Sequence, residues 1–282
     1  MSWIFRGLRE GVLTSRWPRR ADAYHDDFSA TVALVGPSRH ADAEQIVDIC
    51  PTSAISATSD GWLSLDRGRC ILCGACITAY PGVFAWQRGA DVAVLHRGAL
   101  VVAQRPETVA DVAAVRDALA ERVRRLRRSV HVRHVDAGSD GSDEWEVAAL
   151  FNPVYDVNRL GIFLTASPRH ADILLVTGVG AAGMTAPLAR TLEAMPRPLV
   201  VIAAGTDAVS GGLFADGYAS RGGIGDLLDV DVWVPGNPPS PFSLLHAILL
   251  AIGRLPVADA GSASGLRQRR RRGRPHASGG AP

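Results

Sequence analysis

The feature that most constrains the fold is an alternation of short apolar runs with helical stretches in the second half of the chain. Ala186–Ala194 has a helical pattern between two of these runs, and Phe242–Leu255 predicts an apolar helix that closes the unit. Strands that alternate with helices are typical of a parallel sheet covered by helices. We therefore predict an α/β domain over residues 129–256. The apolar runs are Val130–Val135, Ile173–Gly178, Leu199–Ala204 and Val230–Val234.

All four cysteines lie upstream, in a segment that we interpret as a separate domain over residues 35–105. Cys70, Cys73 and Cys76 have the spacing C-x2-C-x2-C, and Cys50 precedes a proline. Thiolates in a tight triplet are soft ligands that suit an iron–sulfur cluster. Structural zinc sites more often show two separated pairs of ligands. Disulfides are rare in the cytoplasm, where we expect this chain to lie.

The triplet resembles that of bacterial ferredoxins, in which a further Cys-Pro follows and its cysteine ligates the other cluster of a pair. Tyr80 occupies that position here, before a proline, and Cys50 resembles the remote Cys-Pro element. A ferredoxin reduced to one cluster needs Cys50 but needs no ligand at Tyr80. The resemblance therefore implies a half-ferredoxin (α+β) domain with one 4Fe–4S cluster on Cys50, Cys70, Cys73 and Cys76.

The stretch from His131 to Leu255 resembles the small, cluster-bearing subunit shared by respiratory complex I, where it is the 20-kDa subunit, and the membrane-bound nickel–iron hydrogenases of formate hydrogenlyase type. GVLTSRWP (11–18) also resembles a segment that precedes the ferredoxin-like subunit of those complexes. The resemblance implies a flavodoxin-like parallel sheet fused to the half-ferredoxin. The matching segments are HVRHVDAGS (131–139), LFNPVYDVNRLGI (150–162), SPRHADILLVTG (167–178), PLVVIAAGTDAVSGGLF (198–214) and DVWVPGNPPSP (231–241).

The second domain departs from that family at the cluster ligands. The family's four cysteine positions correspond to Asp140, Asp143, Asp207 and Asn237, while its nearby glutamate is kept as Glu146. Oxygen donors do not suit a 4Fe–4S cluster, so we expect this degenerate site to lack one. Three carboxylates in a small volume should raise at least one pKa of the group. A hard cation such as magnesium or calcium is an alternative occupant.

One glycine-rich loop offers a different function. Gly178–Gly183 has the pattern G-x-G-x-x-G after a predicted strand and before a predicted helix, and Asp207 follows the next strand. This pattern occurs in dinucleotide-binding sites. A dinucleotide-binding enzyme is therefore kept as an alternative, although both flanking segments match the small-subunit pattern.

The two ends of the chain are basic, and every one of the 30 basic residues is arginine. We interpret residues 1–34 as a basic docking segment whose start, residues 1–20, predicts a short amphipathic helix. It would pack on the body or a partner subunit, or lie on an anionic membrane. Residues 106–128 predict a linker helix, and residues 257–282 an Arg-rich disordered tail for which we expect no nucleic-acid partner. No apolar run is long enough for a membrane span, and no signal peptide is evident.

These observations lead to one expected function. The chain is expected to be an electron-transfer, iron–sulfur metal-binding subunit of a complex I-like or hydrogenase-like membrane oxidoreductase. It would lie at the cytoplasmic, inner face of the cell membrane. Its partners would be a hydrogenase-like or 49-kDa-like large subunit, docked by the second domain, and membrane-arm subunits. Tyr155, Arg159, Glu146 and Met184 are expected to face the large subunit, and substrate chemistry to lie elsewhere in the complex. A non-redox scaffold subunit is the alternative.

Overall fold

A computed structural model describes residues 3–37, 39–102 and 129–255. The predicted linker helix and the predicted tail lie outside the described residues. The N-terminal part contains helices α1 (Trp3–Glu10) and α2 (Ala23–Asp27). In the segment that contains the cysteines, the elements in order are β1 (Thr31–Leu34), α3 (Ala43–Asp48), β2 (Ile55–Ala57), β3 (Leu63–Asp66), α4 (Ala75–Ala79), β4 (Phe84–Gln87) and β5 (Val101–Val102).

The cysteine-bearing segment forms two small antiparallel sheets around its own core. β1 pairs with β4, and β3 lies between β2 and β5. β2 and β3 form a hairpin in which Ile55 pairs with Leu65 across the turn. β1 begins four residues before the boundary at residue 35 that we drew from the sequence. Val32, Ile46, Leu65 and Phe84 are buried together between the sheets and α3.

The second half has the predicted parallel sheet. Its elements in order are β6 (Val130–Asp136), α5 (Ser142–Leu150), β7 (Ile162–Leu164), β8 (Ile173–Thr177), α6 (Thr185–Ala194), β9 (Val200–Ala204), α7 (Thr206–Ser210), β10 (Val232–Val234) and α8 (Pro241–Ala251). The order across the sheet is β10-β9-β8-β6-β7, with every neighbouring pair parallel. Numbered along the domain this order is 5-4-3-1-2, the flavodoxin-like arrangement.

Both faces of this sheet are covered. In β8, Ile173 and Leu175 belong to the core beneath α5 and α8, whereas Leu174 and Val176 belong to the core beneath α6 and α7. Successive strand residues point to opposite faces, which explains why the sheet strands read as continuous apolar runs. α8 is buried along its whole length.

The chain segment after β4 joins the two halves. Val94 and Trp233 exchange backbone hydrogen bonds of 3.0 and 2.8 Å. The backbone N–H of Ala93 donates to Nδ1 of His246 at 3.3 Å, and an oxygen of Asp91 lies 3.0 Å from Nε2 of His25. The cysteine-bearing unit is therefore bonded to both the N-terminal segment and α8.

Candidate functional site: a cysteine pocket beside a carboxylate cluster

The structure brings the four predicted cysteine ligands around one pocket. Cys50 follows α3, Cys70 and Cys73 lie in the loop between β3 and α4, and Cys76 lies within α4. All four line the same pocket, whose other walls are mostly apolar. Three of the four are half-buried, while Cys73 is exposed at the pocket rim. The apolar walls include Val32, Ile49, Ile55, Leu65 and Ile71.

The loop between β3 and α4 turns its backbone toward the thiols. Leu72 and Gly74 both have left-handed conformations, with φ of 57° and 74°. Glycine adopts that conformation without strain, and a Cβ at Gly74 would also come within 3.2 Å of the Trp86 ring. The N–H of Ala54 donates to Sγ of Cys50 at 3.2 Å. Backbone hydrogen bonds at Leu72 and Ile77 likewise favour the thiolate forms of Cys70 and Cys76.

The pocket is unfavourable for isolated thiolates. Burial raises the pKa of Cys70 to about 11, and the neighbouring thiols raise it further. Burial also raises the pKa of Cys76. Buried thiols lose their protons readily only when a cation binds them, because burial in apolar surroundings disfavours the charged form. In the described parts of the chain, no three His, Cys, Asp or Glu side chains are close enough to hold a single metal ion.

The predicted degenerate site lies at the carboxyl edge of the parallel sheet. Asp140 follows β6, Asp143 lies in α5, Asp207 lies in the first turn of α7 and Asn237 follows β10. Asp143 and Asp207 are only 2% and 5% exposed. The pKa of Asp143 rises to about 8, first because of burial and then because of the charges of Asp207, Glu144 and Asp140. Burial followed by Asp140 and Glu144 raises the pKa of Asp207 to about 6. Raised pKa values within this group were expected, but their largest cause is burial rather than the neighbouring carboxylates.

Asp143 packs directly on the turn between β9 and α7. A Cβ at Gly205 would lie 2.3 Å from Oδ2 of Asp143, so that position leaves room only for glycine. Oδ1 of Asp143 is buried and has no hydrogen-bond partner among the described residues. A buried carboxylate without a donor is costly. This side chain therefore favours its neutral, protonated form.

Asp140 behaves in the opposite way. Its Oδ1 accepts hydrogen bonds from the hydroxyl and the backbone N–H of Ser142, at 2.6 and 2.9 Å. These bonds lower the pKa of Asp140. The three carboxylates therefore divide into a buried, easily protonated pair and one ionised member near the surface.

A polar network that the sequence patterns did not single out adjoins this cluster. Glu144 accepts hydrogen bonds from the hydroxyls of Ser139 and Thr177. Nε2 of His134 lies 3.0 Å from the Thr177 hydroxyl. Thr177 ends β8, and strand ends are the places where polar side chains collect in parallel sheets. Its position at the end of a predicted strand is therefore the sequence feature that could have identified Thr177 as part of the site.

Thr206 connects the cysteine pocket with the carboxylate cluster. Its hydroxyl donates to the carbonyl of Cys70 at 3.0 Å and accepts the N–H of Gly236 at 3.4 Å. Gly68, also in the cysteine loop, approaches Val209 of α7 so closely that a Cβ would lie 2.7 Å from its Cγ1. Helix α7, which contains Asp207, therefore packs against the loop that contains Cys70.

The glycine-rich loop, residues 178–183, packs closely against neighbouring backbone and donates its hydrogen bonds to it. A Cβ at Gly178 would lie 2.6 Å from the backbone at Gly138, and one at Gly180 would lie 2.3 Å from the carbonyl of Gly223. The N–H groups of Ala181 and Ala182 donate to the carbonyls of Ala137 and Ala219, each at 2.7 Å. In a dinucleotide site these amides would point to phosphate. The geometry therefore does not favour the dinucleotide-binding alternative.

The four residues expected to face a large subunit also make contacts within the chain, while Arg159 is exposed and the other three are half-buried. The rings of Tyr155 and Phe242 lie 5.0 Å apart, and the guanidinium of Arg159 donates to the carbonyl of Trp17 at 2.8 Å. Burial raises the pKa of Glu146. Met184 packs against the core under α6. Large exposed apolar side chains instead lie beside the carboxylate cluster, on α5 and after α7: Trp145, Leu213, Phe214 and Tyr218.

Comparison with known proteins gives the family. Residues 141–251 match the profile of the NADH ubiquinone oxidoreductase, 20 Kd subunit. The probable membrane-bound hydrogenase subunit mbhJ of Pyrococcus furiosus is 37% identical over 137 residues, which cover 49% of this chain and 82% of that protein. The chain belongs to the 20 Kd subunit family.

Other members of the family are subunits of related assemblies. Formate hydrogenlyase subunit 7 of Escherichia coli is 39% identical over 136 residues, 48% of this chain, and the match spans about half (53%) of that protein. NAD(P)H-quinone oxidoreductase subunit K from the chloroplast of Lotus japonicus is 41% identical over 104 residues, covering 36% of this chain and 45% of that protein.

A structural match and the helix lengths complete the comparison. A chain of the membrane-bound sulfane sulfur reductase, an archaeal respiratory membrane complex, matches 49% of this chain and 77% of its own length, with 27% identity and a TM-score of 0.42. Within the described ranges, none of the helices has both the length and the apolar character needed to cross a bilayer.

Proposed function

We propose that the chain is an electron-transfer subunit of a complex I-like or hydrogenase-like oxidoreductase, with one 4Fe–4S cluster on Cys50, Cys70, Cys73 and Cys76. The observation that carries the proposal is the convergence of these four cysteines on one pocket, in a chain whose second half belongs to the 20 Kd subunit family. The same chain therefore combines a thiol pocket with a domain typical of multisubunit electron-transfer complexes.

The pocket fits a cluster in its chemistry. Its soft thiols suit iron–sulfur ligation, and the N–H of Ala54 donates directly to Sγ of Cys50. Such hydrogen bonds orient ligands and tune the potential of a bound centre. Apolar walls limit the access of water around Cys70 and Cys76. When bound, the cluster would supply reversible one-electron chemistry.

Partners and location follow from the relatives. Two of the relatives are a formate hydrogenlyase subunit and a probable membrane-bound hydrogenase subunit. We infer that this chain also docks on a large subunit and, with membrane-arm subunits, sits at the inner face of the cell membrane. The exposed side chains of Trp145 and Phe214, next to the carboxylate cluster, supply apolar area for such an interface.

A non-redox scaffold role is the second candidate, and the carboxylate cluster favours it. Asp143 and Asp207 stand where the resemblance implies thiolate ligands, and both are buried. If no second centre lies there, a cluster in the cysteine pocket has no partner within this chain. The cluster would then be structural and would hold the loop around Cys70 in place.

One set of measurements tests the proposal. The chain purified without air should contain about four iron atoms and show a reversible midpoint between roughly −700 and +450 mV. Cys50→Ser should lose most of the iron, whereas Tyr80→Phe should keep it, because Tyr80 packs in the core beside Cys76 and is not expected to be a ligand. Full iron content in Cys50→Ser would contradict the ligand assignment. Full iron without a reversible midpoint would favour the scaffold role.

A further inference from the structure

The N-terminal helix exposes an apolar stripe. Ile4, Phe5 and Leu8 of α1 are 52%, 65% and 75% exposed, and Val12 and Leu13, which follow the helix, are 74% and 69% exposed. In a helix, residues 4, 5 and 8 share one face. We call these five residues the N-terminal stripe. Five exposed apolar side chains within ten residues indicate an interaction site.

The stripe projects from a fixed attachment to the body. The hydroxyl of Thr14 donates to the carbonyl of Pro153 at 3.0 Å, and the N–H of Ser15 donates to that of Val154 at 2.8 Å. Trp17 is only 6% exposed, and its ring stacks on that of His25 at 4.9 Å. Residues 14–17 are thus held firmly, while the residues before them present the stripe outward.

The charges around the stripe indicate what covers it. Residues 3–20 contain five arginines and one acidic residue, Glu10. All five arginines have exposed positions, two on α1 and three around the attachment. A helix with one apolar face and arginines on the other is typical of segments that lie in an anionic membrane surface. The five are Arg6, Arg9, Arg16, Arg19 and Arg20.

We propose that α1 and residues 11–13 lie in the headgroup region of an anionic lipid bilayer, with the N-terminal stripe toward the acyl chains and the arginines at the lipid phosphates. This inference rests on the proposed membrane-associated complex and refines it, because it assigns this chain its own contact with lipid. The sequence alone had left open whether the segment packs on the body. The exposure of the stripe favours lipid over the body.

Vesicle flotation of the full chain tests the inference. The chain should float with phosphatidylcholine vesicles containing about one quarter phosphatidylglycerol. It should float several-fold less with phosphatidylcholine alone or in about 0.5 M salt, because salt screens the arginine–phosphate attraction. The double variant Phe5→Glu, Leu8→Glu should stay with the unbound protein, and Arg9→Gln, Arg16→Gln should float less than the wild type.

The control carries the same kind of change at another exposed apolar pair. Phe163 and Leu164 of the edge strand β7 are 37% and 48% exposed, so Phe163→Glu, Leu164→Glu should float as the wild type does. Circular dichroism of each variant excludes unfolding as the cause of any loss.

Three outcomes would overturn the inference: no flotation of the wild type with anionic vesicles, equal flotation of the stripe variant, or equal binding to neutral vesicles. If the wild type fails to float but the stripe variant loses a copurifying protein subunit, the stripe is a protein-docking surface. Iron content measured on the same samples distinguishes this inference from the proposed function. A chain with about four iron atoms that does not bind vesicles would contradict the lipid contact but not the proposed cluster.

Discussion

At the scale of single residues, Asp143 shows how a buried carboxyl group behaves when its Oδ1 has no hydrogen-bond partner among the described residues. Its pKa of about 8 means that the folded protein retains this proton long after an unfolded chain has lost it near pH 4. A raised folded pKa stabilises the protein below the unfolded pKa, and this stabilisation is lost as pH rises through the folded value. Stability should therefore decline between about pH 4 and pH 8.

Asp143→Asn should remove most of that decline. At pH 7.5 the variant should melt several degrees above the wild type, since about 1 kcal/mol corresponds to roughly 2–4 °C for a domain of 150–250 residues. At pH 4 the two should melt together. Melting curves followed by circular dichroism across this range measure the effect.

Asp140→Asn provides the matched comparison, with the opposite sign. The pKa of Asp140 is lowered by its hydrogen bonds to Ser142, so its stabilising effect is present above its unfolded pKa and lost as pH falls through the folded one. This variant should melt lower than the wild type at neutral pH. A marked rise in wild-type melting temperature with millimolar magnesium would instead indicate a cation among the carboxylates and contradict a protonated Asp143.

At the scale of secondary-structure elements, Thr206 at the start of α7 gives a specific test of how the two halves are joined. Thr206→Val keeps the shape of the side chain but leaves the carbonyl of Cys70 without its donor. A buried group that loses its partner costs about 1–3 kcal/mol, and Thr206 is only 1% exposed. Urea titrations should show that loss in the free energy of unfolding, and Thr206→Ser should restore most of it. Equal stability of Thr206→Val and the wild type would show that the hydrogen bond from Thr206 to Cys70 does not stabilise the contact between the two halves.

The elements also show what sequence patterns can predict. β6, β8, β9 and β10 were predicted because strands buried on both faces leave continuous apolar runs. β7 was not, because it has three residues, of which Phe163 and Leu164 are exposed. α5 was missed because its sequence, SDEWEVAAL, has no single apolar face. The pairing of β1 with β4 joins residues far apart in the chain, which no local pattern encodes.

The candidate site was likewise only partly predictable from the sequence. The C-x2-C-x2-C spacing together with the ferredoxin resemblance, which adds Cys50, predicted a four-cysteine site, and all four cysteines line one pocket. The contact from Thr206 to Cys70 was not predictable, because it depends on how two units pack. Residues 178–183 match the dinucleotide-binding motif in sequence. In the structure, however, neighbouring backbone fills the space beside the glycines and accepts hydrogen bonds from the amides of the loop.

At the scale of the whole molecule, the alignment of Asp140, Asp143, Asp207 and Asn237 with the family's expected ligand positions can be tested directly. The quadruple variant Asp140→Cys, Asp143→Cys, Asp207→Cys, Asn237→Cys places thiols at these positions. After anaerobic reconstitution, iron should rise from about four to about eight atoms per chain, the content of two cubane clusters. Iron that stays near four in a folded variant would show that the four positions do not converge. Replacing the same residues by serine, which binds iron–sulfur clusters poorly, is the control.

The segment around Val94 is hydrogen-bonded to Trp233 and contacts α8 through His246. This attachment affects how the thiol pocket can meet other proteins. Small ferredoxin-like carriers work as shuttles when they are free to diffuse from donor to acceptor. Here the thiol pocket is bonded to the sheet on one side and to the N-terminal segment on the other, which places it beside the carboxylate edge. Under the proposed electron-transfer role, such a pocket would exchange electrons only with proteins that bind at this position.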